Sequence, residues 1–526
     1  MAAHRCSKCG TLYTDPPVKA LDVSPSPGTR HHTLLNTNEP PSDSETTFVH
    51  SVISKADARV ARIDEEVTEL QEMLKHLRAE RASLYRYRKR NRAILSPLRR
   101  MPPEMLGEIF ALTVPSFNAA LSGNGINMVR SPWLLTQVGS LWRAVSVSTP
   151  SLWSRVVIDF KNGYHNPVPL IELQLQRAQS LKIHFYGSET ADSRLQNQLF
   201  QLLSEQCLRW EELWLVLTSD MVPLLAALRG RLSSLKQVQM ETCFVQTPAD
   251  PLDCFQTAPS LVTFGLYNSH RSRTITLPAH QLTRAQLNGP WRWIKDILKS
   301  ASMLVEANFG IQSDDPSPRE FGELIGLPHL RRLYVSDPEF LKCLRTPALE
   351  ALGFYVVKNP SLDILLLLQT LIDRSTCLLR RLCLRGCADA NITAEILERF
   401  PSINEFGTIT ASDRNRVDDL MAKLAAPKPG GTVISPQLRS LFFAREKGSK
   451  PIDYDAFLAM LKSRWGADVS ELQNAALLFT QGCGPDRPTL RKLHVLRREG
   501  LSLSILEGSE AMKEVAAWLY WSSPRG

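Results

Sequence analysis

The stretch LRRLCLRGC, residues 379–387, carries the strongest fold signal in this chain. Its apolar residues follow the spacing Leu-x-x-Leu-x-Leu-x-x-Cys, which puts Leu382 and Leu384 on the same face of a strand because side chains alternate along a strand. The same spacing runs, with conservative replacements, from Leu235 to Cys243. Weaker copies begin at Trp210, Leu261, Leu330, Leu349, Leu438 and Leu490. A strand that recurs in this way predicts a series of similar structural units.

The predicted units have the strand signature of a leucine-rich repeat, in which strands alternate with helices. The copies that begin at Trp210, Leu235 and Leu261 are 25 and 26 residues apart, whereas Leu330 and Leu349 are separated by only 19. Helices are predicted at residues 220–232, 363–374 and 394–400. A single strand–helix unit cannot cover its own apolar side, so neighbouring units must stack. The sequence therefore predicts an irregular leucine-rich-repeat α/β solenoid at residues 170–500 and a C-terminal tail at residues 501–526. An ordinary α/β domain with parallel strands is the alternative.

In such a stack, the residues between the leucines point to the concave side of the sheet. Arg332, Tyr334, Arg381 and Arg385 occupy positions of this kind, as does Cys383. Arginine and tyrosine often dominate the binding energy at protein interfaces, so we expect the three arginines and the tyrosine to bind a protein target. The arginines favour an acidic or phosphorylated segment as the ligand.

Upstream, residues 94–159 combine two amphipathic helical patterns with an extended apolar run. Pro102 and Pro103 suit the first turn of a helix, and Glu104 lies favourably near its positive end. A second pattern runs from Leu134 to Val145. The first helix carries apolar residues at spacings of three and four, namely Met105, Leu106, Ile109, Phe110 and Leu112. The two apolar faces predict a helical hairpin. This hairpin is either a unit that docks a partner protein or, as the alternative, a plain structural hairpin buried in the core.

This segment resembles the F-box. The likeness is carried by the opening at residues 98–103, the Glu-x-Leu-x-x-Ile-Phe segment at 104–110, the Val-x-x-x-Trp-Arg element at 138–143 and the closing Leu-Trp at 152–153. Gly139 and Ser140 replace the usual Cys-Arg, and the spacer at 115–132 is longer than in the family. The resemblance implies docking to a Skp-type adaptor and, through it, to a cullin scaffold. The residues expected to contact the adaptor are Leu98, Pro102, Pro103, Leu106, Ile109, Phe110, Val138 and Trp142.

Residues 51–93 carry a heptad pattern. From Val60 to Leu84 the apolar residues alternate spacings of three and four, and only Arg81 breaks the series. This pattern indicates either a coiled coil, which would make the chain a homodimer, or one amphipathic helix folded back on the hairpin. The preceding leader, residues 1–50, is rich in Pro, Ser, Thr and Asn and is predicted to be flexible. The order of leader, heptad helix and hairpin looks like that of fungal F-box-like proteins over residues 1–160.

Composition excludes several classes of protein. The chain has 526 residues, of which 43 % are hydrophobic and 22 % charged, as in ordinary globular proteins. Its net charge of +9 is modest, and the basic cluster at residues 86–100 is typical of a solvated helix face, so nucleic-acid binding is not expected. No apolar stretch is long enough to span a membrane or to form a signal peptide. We therefore expect a cytoplasmic and/or nuclear protein with reduced cysteines.

Motifs for catalysis are missing from the sequence. There is no phosphate-binding loop ending in Gly-Lys-Ser or Gly-Lys-Thr, no His-Glu-x-x-His pair and no Gly-x-Ser-x-Gly elbow. We expect no catalytic residues, no cofactor and no metal. Cys6 and Cys9 form a Cys-x-x-Cys pair in the leader, which is half of a structural zinc site. His4, His31 and His32 are the nearest further candidates, and they do not secure a complete set of ligands.

These features lead to one expected function and two alternatives. The resemblance implies a substrate-recognition F-box subunit of a cullin–RING (SCF-type) ubiquitin ligase, which binds the adaptor through the hairpin and an unknown protein substrate through the repeats. Such a subunit is not an enzyme itself; it acts by bringing a target close to the ubiquitin-transferring subunits. The alternatives are a non-catalytic scaffold that self-associates through the heptad helix, and an enzyme whose site is assembled from loops without a motif.

Overall fold

The protein consists of two compact units, Met1–Met101 and Pro102–Gly526. The computed structural model describes residues 4–5, 12–13, 25–115, 128–163, 167–242, 251–267, 275–311, 323–356, 363–386, 389–410, 417–426, 433–446, 452–465, 470–480 and 484–520. Among these residues, no helix combines the length and the apolar character needed to cross a membrane. The division between the units falls inside the range 94–159 that the sequence predicts to be an F-box.

The first unit is dominated by one long helix. Strands β1 (His4–Arg5) and β2 (Leu12–Tyr13) form a short antiparallel pair. Helix α1 (Arg30–Asn36) follows, and α2 (Asp43–Ile94) extends over 52 residues, which is about 78 Å at 1.5 Å per residue. The predicted heptad helix is therefore confirmed, and it begins earlier than residue 51.

A capping box explains the early start of α2. The Ser42 N–H donates to Glu45 Oε2 at 2.8 Å, and the Glu45 N–H donates to Ser42 Oγ at 3.4 Å. Arg30 of α1 also donates to Glu45, at 3.0 Å, and the His31 ring meets Phe48 edge to face at 5.4 Å. The prediction of a flexible leader was therefore wrong for residues 30–36 and 43–50, because composition does not reveal these local contacts.

The second unit begins with a small helical module. Its elements are α3 (Pro103–Thr113), α4 (Leu135–Val138), α5 (Ser140–Val147) and a 3-10 turn, Pro150–Trp153. The second helical pattern of the sequence is thus split into two short helices at Gly139. Helix α3 packs against α5, as expected for a hairpin.

A parallel sheet follows the module. Among the described strands β3 to β18, β10 and β12 pair only with each other, and the other fourteen form one parallel sheet. The order of the fourteen across the sheet is their order in the chain, with β3 and β18 at its two edges. The strands are β3 (Arg155–Asp159), β4 (Leu181–Tyr186), β5 (Trp210–Leu217), β6 (Gln237–Thr242), β7 (Thr263–Tyr267), β8 (Arg284–Gly289), β9 (Glu306–Ile311), β10 (Ile325–Gly326), β11 (Arg332–Val335), β12 (Leu344–Arg345), β13 (Ala351–Val356), β14 (Arg381–Gly386), β15 (Glu405–Thr410), β16 (Ser440–Arg445), β17 (Asn474–Phe479) and β18 (Ser502–Glu507).

Helices connect the strands and pack side by side along the C-terminal part of the sheet. The series from α10 to α14 makes neighbour contacts, each helix with the next. The core lies between these helices and the face of the sheet that carries the consensus leucines. Leu382 and Leu384 are examples, and both are buried. The helices are α6 (Val168–Arg177), α7 (Ser193–Ser204), α8 (Val222–Ala226), α9 (Trp291–Ser300), α10 (Ile364–Ser375), α11 (Ala390–Arg399), α12 (Val417–Ala425), α13 (Tyr454–Trp465), α14 (Arg487–Arg498) and α15 (Gly508–Tyr520).

Most predicted repeat strands are confirmed. The copies that begin at Trp210, Leu235, Leu261, Leu330, Leu349, Leu379 and Leu438 contain β5, β6, β7, β11, β13, β14 and β16. The copy at Leu490 was wrong, because this residue lies in α14, where Asp486 accepts a hydrogen bond from the Thr489 N–H at 3.0 Å. The spacing Leu-x-x-Leu also fits one face of a helix, so the spacing alone cannot separate the two structures.

Seven strands of the sheet were not predicted, and the sheet extends beyond residues 170–500. Several of the missed strands carry alanine where the pattern has leucine, as at Ala285, Ala307 and Ala475, all of which are buried. Strand β3 lies within the range predicted as F-box, and β18 and α15 lie within the predicted C-terminal tail. Of the predicted helices, residues 363–374 match α10 and 394–400 overlap α11, whereas 220–232 contains only the short α8 beside a 3-10 turn.

Candidate functional site

The residues predicted to bind an adaptor lie in different environments. Leu98 is exposed and belongs to the first unit, whereas the others belong to the second. Leu106 and Phe110 are only 0 % and 1 % exposed, and Trp142 is half-buried. The exposed residues of the set in the second unit are Pro102, Pro103, Ile109 and Val138.

The buried residues hold the helical module together. The rings of Phe110 on α3 and Trp142 on α5 lie 4.8 Å apart. Trp153 donates its Nε1–H to the Ser146 carbonyl at 2.7 Å, and the Arg177 guanidinium lies 4.4 Å from the centre of the Trp153 ring. Leu106 and Phe110 are therefore part of the interior of the module, and no partner can contact them while it is folded.

Several apolar side chains of the module remain uncovered. On α3 the exposed residues Met105, Ile109 and Leu112 follow each other at spacings of four and three and so share one side of the helix. Leu112 is 88 % exposed. Exposed apolar residues that cluster on one helix typically mark an interaction site. We call Met105, Ile109, Leu112 and the exposed Val138 of α4 the module face. Sequence reasoning did not select Met105 and Leu112 as contact residues, although their helical spacing was visible.

The residues predicted to bind a target share one face of the sheet, here called the inner face. In the strand register, Tyr334 of β11 pairs with Gly353 of β13, which pairs with Cys383 of β14. Arg381 and Arg385 lie two positions either side of Cys383 and therefore point to the same side. Arg332 lies two positions before Tyr334 on that side. The sequence placed these residues together correctly, but it did not predict their environment.

Each arginine of the predicted set is paired with a carboxylate of the chain itself. Arg332 Nη1 lies 3.1 Å from Glu306 Oε1. Arg381 Nε donates to Glu405 Oε2 at 2.6 Å. Arg385 Nη2 lies 3.0 and 3.1 Å from the two carboxylate oxygens of Glu446. These glutamates offset the positive charge that favoured an acidic or phosphorylated ligand, so charge alone no longer argues for such a ligand.

The C-terminal helix covers part of the inner face. Tyr334 and Cys383 are buried in a cluster that also contains Val515 and Trp518 of α15. The Trp518 ring stacks on Phe442 of β16 with a centroid distance of 4.6 Å. Burial raises the pKa of the Cys383 thiol to about 12. The segment predicted to be a tail is therefore a structural part of the predicted target surface.

An aromatic cluster lies on the inner face of the N-terminal strands. His184 of β4 stacks on Trp214 of β5 at 5.7 Å, and Trp214 stacks on Tyr267 of β7 at 5.8 Å. His184 Nε2 lies 3.3 Å from Glu212 Oε1, and its Nδ1 lies 3.3 Å from the Tyr186 hydroxyl. Burial lowers the pKa of His184 from its usual 6.5, although Glu212 opposes the shift. Since His184 is only 2 % exposed, the His–Glu pair cannot reach a substrate in this conformation.

The described residues carry little further chemistry. Within those ranges, no group of three or more His, Cys, Asp or Glu side chains could hold a metal ion. Cys6 and Cys9 lie outside the described residues. Burial raises the pKa of Cys254 and Cys343 to about 12, so their reactive thiolate forms are scarce at neutral pH.

No protein-family model matches this chain, and no curated protein matches it. The module face and the inner face are two candidate interaction surfaces of the described residues.

Proposed function

We propose that this chain is the target-recognition subunit of a cullin–RING (SCF-type) ubiquitin ligase. In this proposal the helical module is an F-box that docks a Skp-type adaptor through the module face. The strands and helices that follow form a leucine-rich-repeat solenoid that holds a protein target. The observation that carries the proposal is the uncovered apolar side of α3 at Met105, Ile109 and Leu112, directly ahead of a long repetitive sheet.

The strand order supports a repeat array over an ordinary α/β domain. Every neighbouring pair in the fourteen-stranded sheet is parallel, and the strands follow one another across the sheet in the order in which they occur in the chain. Doubly wound α/β sheets instead reverse their strand order and bind ligands at the reversal. Strand starts are 19 residues apart from Arg332 to Ala351 and 35 apart from Glu405 to Ser440, which fits an array of unequal units.

The proposed activity needs no acid or base in this chain. A receptor of this type holds a target lysine near the ubiquitin-loaded enzyme, which raises its local concentration. The rate then depends on positioning rather than on catalytic groups. This agrees with the burial of His184, Cys254 and Cys343, none of which the proposal uses.

Co-purification with a Skp-type adaptor tests the proposal. The combined change Ile109→Asp and Leu112→Asp should remove the adaptor from a pull-down, because it places two charges on the apolar surface that the adaptor must cover. Leu378→Asp is the matched control, since Leu378 is 58 % exposed and lies in a loop ahead of β14. Leu106 and Phe110 are unsuitable targets because charges there would unfold the module.

Circular dichroism should show the same helix and strand content in both variants and in the unchanged chain. An unchanged chain that never retains the adaptor, or a double variant that still does, would contradict the proposal.

The second candidate function is a self-associating scaffold. The observation in its favour is α2, which has no buried residue along its 52 positions and exposes its heptad residues, among them Val60, Val67, Leu70 and Leu77. A second copy of the same helix would cover this stripe. The two functions are compatible, since the module face and α2 share no residues.

A further inference from the structure

Helix α15 has one apolar side, and that side faces the sheet. Ala511, Val515, Trp518 and Leu519 are buried and follow each other at spacings of four, three and one, which places them on one face of the helix. The remaining described side chains of the helix are half-buried or exposed, and Met512, at the edge of the buried face, is 52 % exposed. The helix is therefore held to the inner face by these four side chains.

The sheet surface beneath α15, here called the floor, has room for a large side chain. Gly407 of β15 pairs with Phe442 of β16, which pairs with Ala476 of β17. A Cβ atom at Gly407 would lie 3.1 Å from Trp518 Cε3 and 3.0 Å from Phe442 Cδ1, tighter than most Cβ contacts, so the neighbouring rings would have to shift. The absence of a side chain at residue 407 thus creates the space that the indole fills.

The indole of Trp518 contacts two side chains of the sheet. Its ring stacks on Phe442, and the Arg381 guanidinium lies 4.6 Å from the ring centre. Arg381 also donates a hydrogen bond to Glu405, so the position of the guanidinium does not depend on the indole alone. An aromatic anchor in a groove lined by an aromatic ring and an arginine is the arrangement by which proteins often recognise amphipathic helices.

The sheet does not need α15 for its hydrogen bonds. A helix satisfies its backbone groups internally, so its departure would leave no strand unpaired. The connection to β18 is made at Gly508, whose φ of +58° is a conformation that glycine adopts readily, and a Cβ built at this residue would meet no atom within 4 Å. The helix can therefore leave the groove by rotation at one residue while β18 stays in the sheet.

We propose that the groove over β14–β17 is a binding site for an amphipathic helix of a protein partner, and that α15 is an internal occupant that competes with it. The partner helix carries an aromatic anchor and small or branched aliphatic residues at the spacing of Ala511, Val515, Trp518 and Leu519. This inference rests on the proposed role in target recognition and specifies the class of target. It also accounts for Arg381, which a partner helix would contact in place of α15.

A labelled peptide with the sequence of residues 505–520 tests the proposal on the full-length chain. Val515→Asp with Trp518→Asp should release α15, and the peptide should bind this variant at least tenfold more tightly than the unchanged chain. The reason is that a tethered helix competes at high effective concentration in the unchanged chain. Met512→Asp, at an exposed position of α15, is the matched control and should bind the peptide as weakly as the unchanged chain.

Blocking the floor provides the second half of the test. Adding Gly407→Val to the double variant should abolish peptide binding, because the new side chain occupies the space of the indole. Trp518→Ala alone is a milder release that should give intermediate binding if the double variant does not fold. Equal peptide binding by released and unchanged chains, or binding that survives Gly407→Val, would overturn the proposal.

The test is independent of the ligase proposal. Peptide binding is measured without adaptor or cullin, so a chain that fails to bind the adaptor can still bind the peptide. Conversely, Ile109→Asp with Leu112→Asp should leave peptide binding unchanged, because those residues belong to α3.

Discussion

At the scale of single residues, buried and half-buried arginines connect neighbouring segments of the second unit through main-chain carbonyls. Helix ends leave carbonyl groups without partners, and one guanidinium can satisfy several of them. Arg209, Arg374 and Arg464 donate to main-chain carbonyls 29 to 40 residues earlier in the chain: at the end of α6, at the end of the 3-10 helix Pro338–Cys343, and, for Arg464, at the end of α12 and in the loop before β16. Arginine at such positions would normally suggest a binding role, and here it stabilises the stack.

Arg464 gives the strongest stability prediction. It is fully buried, it donates to the carbonyls of Leu424, Ile434 and Ser435, and burial lowers its pKa to about 10, so it stays charged at neutral pH. Arg464→Met should lower the free energy of unfolding by about 3 kcal/mol or more, because each abandoned buried carbonyl costs about 1–3 kcal/mol. Urea denaturation measures this change.

The control for Arg464 is Arg439→Met, which removes an exposed pair with Glu471 and should cost no more than about 1 kcal/mol. Equal losses at the two positions would show that the buried arginine does not stabilise the stack.

His184 predicts how stability depends on pH. Burial lowers the pKa of His184 in the folded protein below 6.5, so the unfolded chain binds a proton that the folded chain rejects as the pH falls. The free energy of unfolding should therefore decrease from about pH 6.5 downwards, by at most about 1.4 kcal/mol for each unit of pKa depression. His184→Gln should lose less stability than the unchanged chain between pH 7.5 and pH 5.5.

His494→Gln, on the exposed side of α14, should keep the pH profile of the unchanged chain. If His184→Gln also keeps that profile, the imidazole does not titrate with folding and the predicted linkage is absent.

At the scale of elements, α2 and α15 show that similar apolar stripes can have opposite outcomes. The stripe of α15 is covered by the sheet, whereas that of α2 is exposed along the whole helix. The early start of α2 also lengthens the heptad seam, because Val49, Ile53 and Ala56 continue the series upstream of Val60. Branched residues at the first core position and leucine at the second are typical of parallel two-stranded coiled coils.

The uncovered stripe of α2 predicts a homodimer. Leu70→Lys with Leu77→Lys places charges in the seam and should reduce the mass from that of a dimer to that of a monomer in light scattering. Glu72→Lys, outside the seam, should leave the dimer intact. If the unchanged chain already has the mass of a monomer, the coiled-coil proposal fails.

At the scale of the whole molecule, the second unit is built by adding each strand beside the last one. This order gives the sheet two open edges, at β3 and at β18. The edge at β18 is followed immediately by α15, which turns back over the inner face as far as Arg381 of β14. This helix therefore covers a surface built by strands from β14 onwards.

Local pattern was enough to predict the elements that repeat it faithfully. The strands that contain Leu213, Val238 and Leu382 were predicted because their alternating apolar residues describe a half-buried strand whatever surrounds it. The strands with Ala285 or Ala475 at the same positions were missed, because alanine has a high helix propensity and does not indicate a strand. The long helix was predicted from its heptads, and only its capped start at Ser42 was missed.

What the sequence alone determined is therefore the type and order of the elements: a long heptad helix, a helical module and a series of parallel strands with helices between them. Tertiary structure alone decided which apolar residues are covered. Leu106 is buried, whereas Leu112, six residues further along the same helix, is exposed. Trp518 fills a groove lined by Phe442, which lies far away in the chain. Periodicity depends on neighbouring residues, whereas burial depends on contacts between distant segments, and only the folded chain brings those segments together.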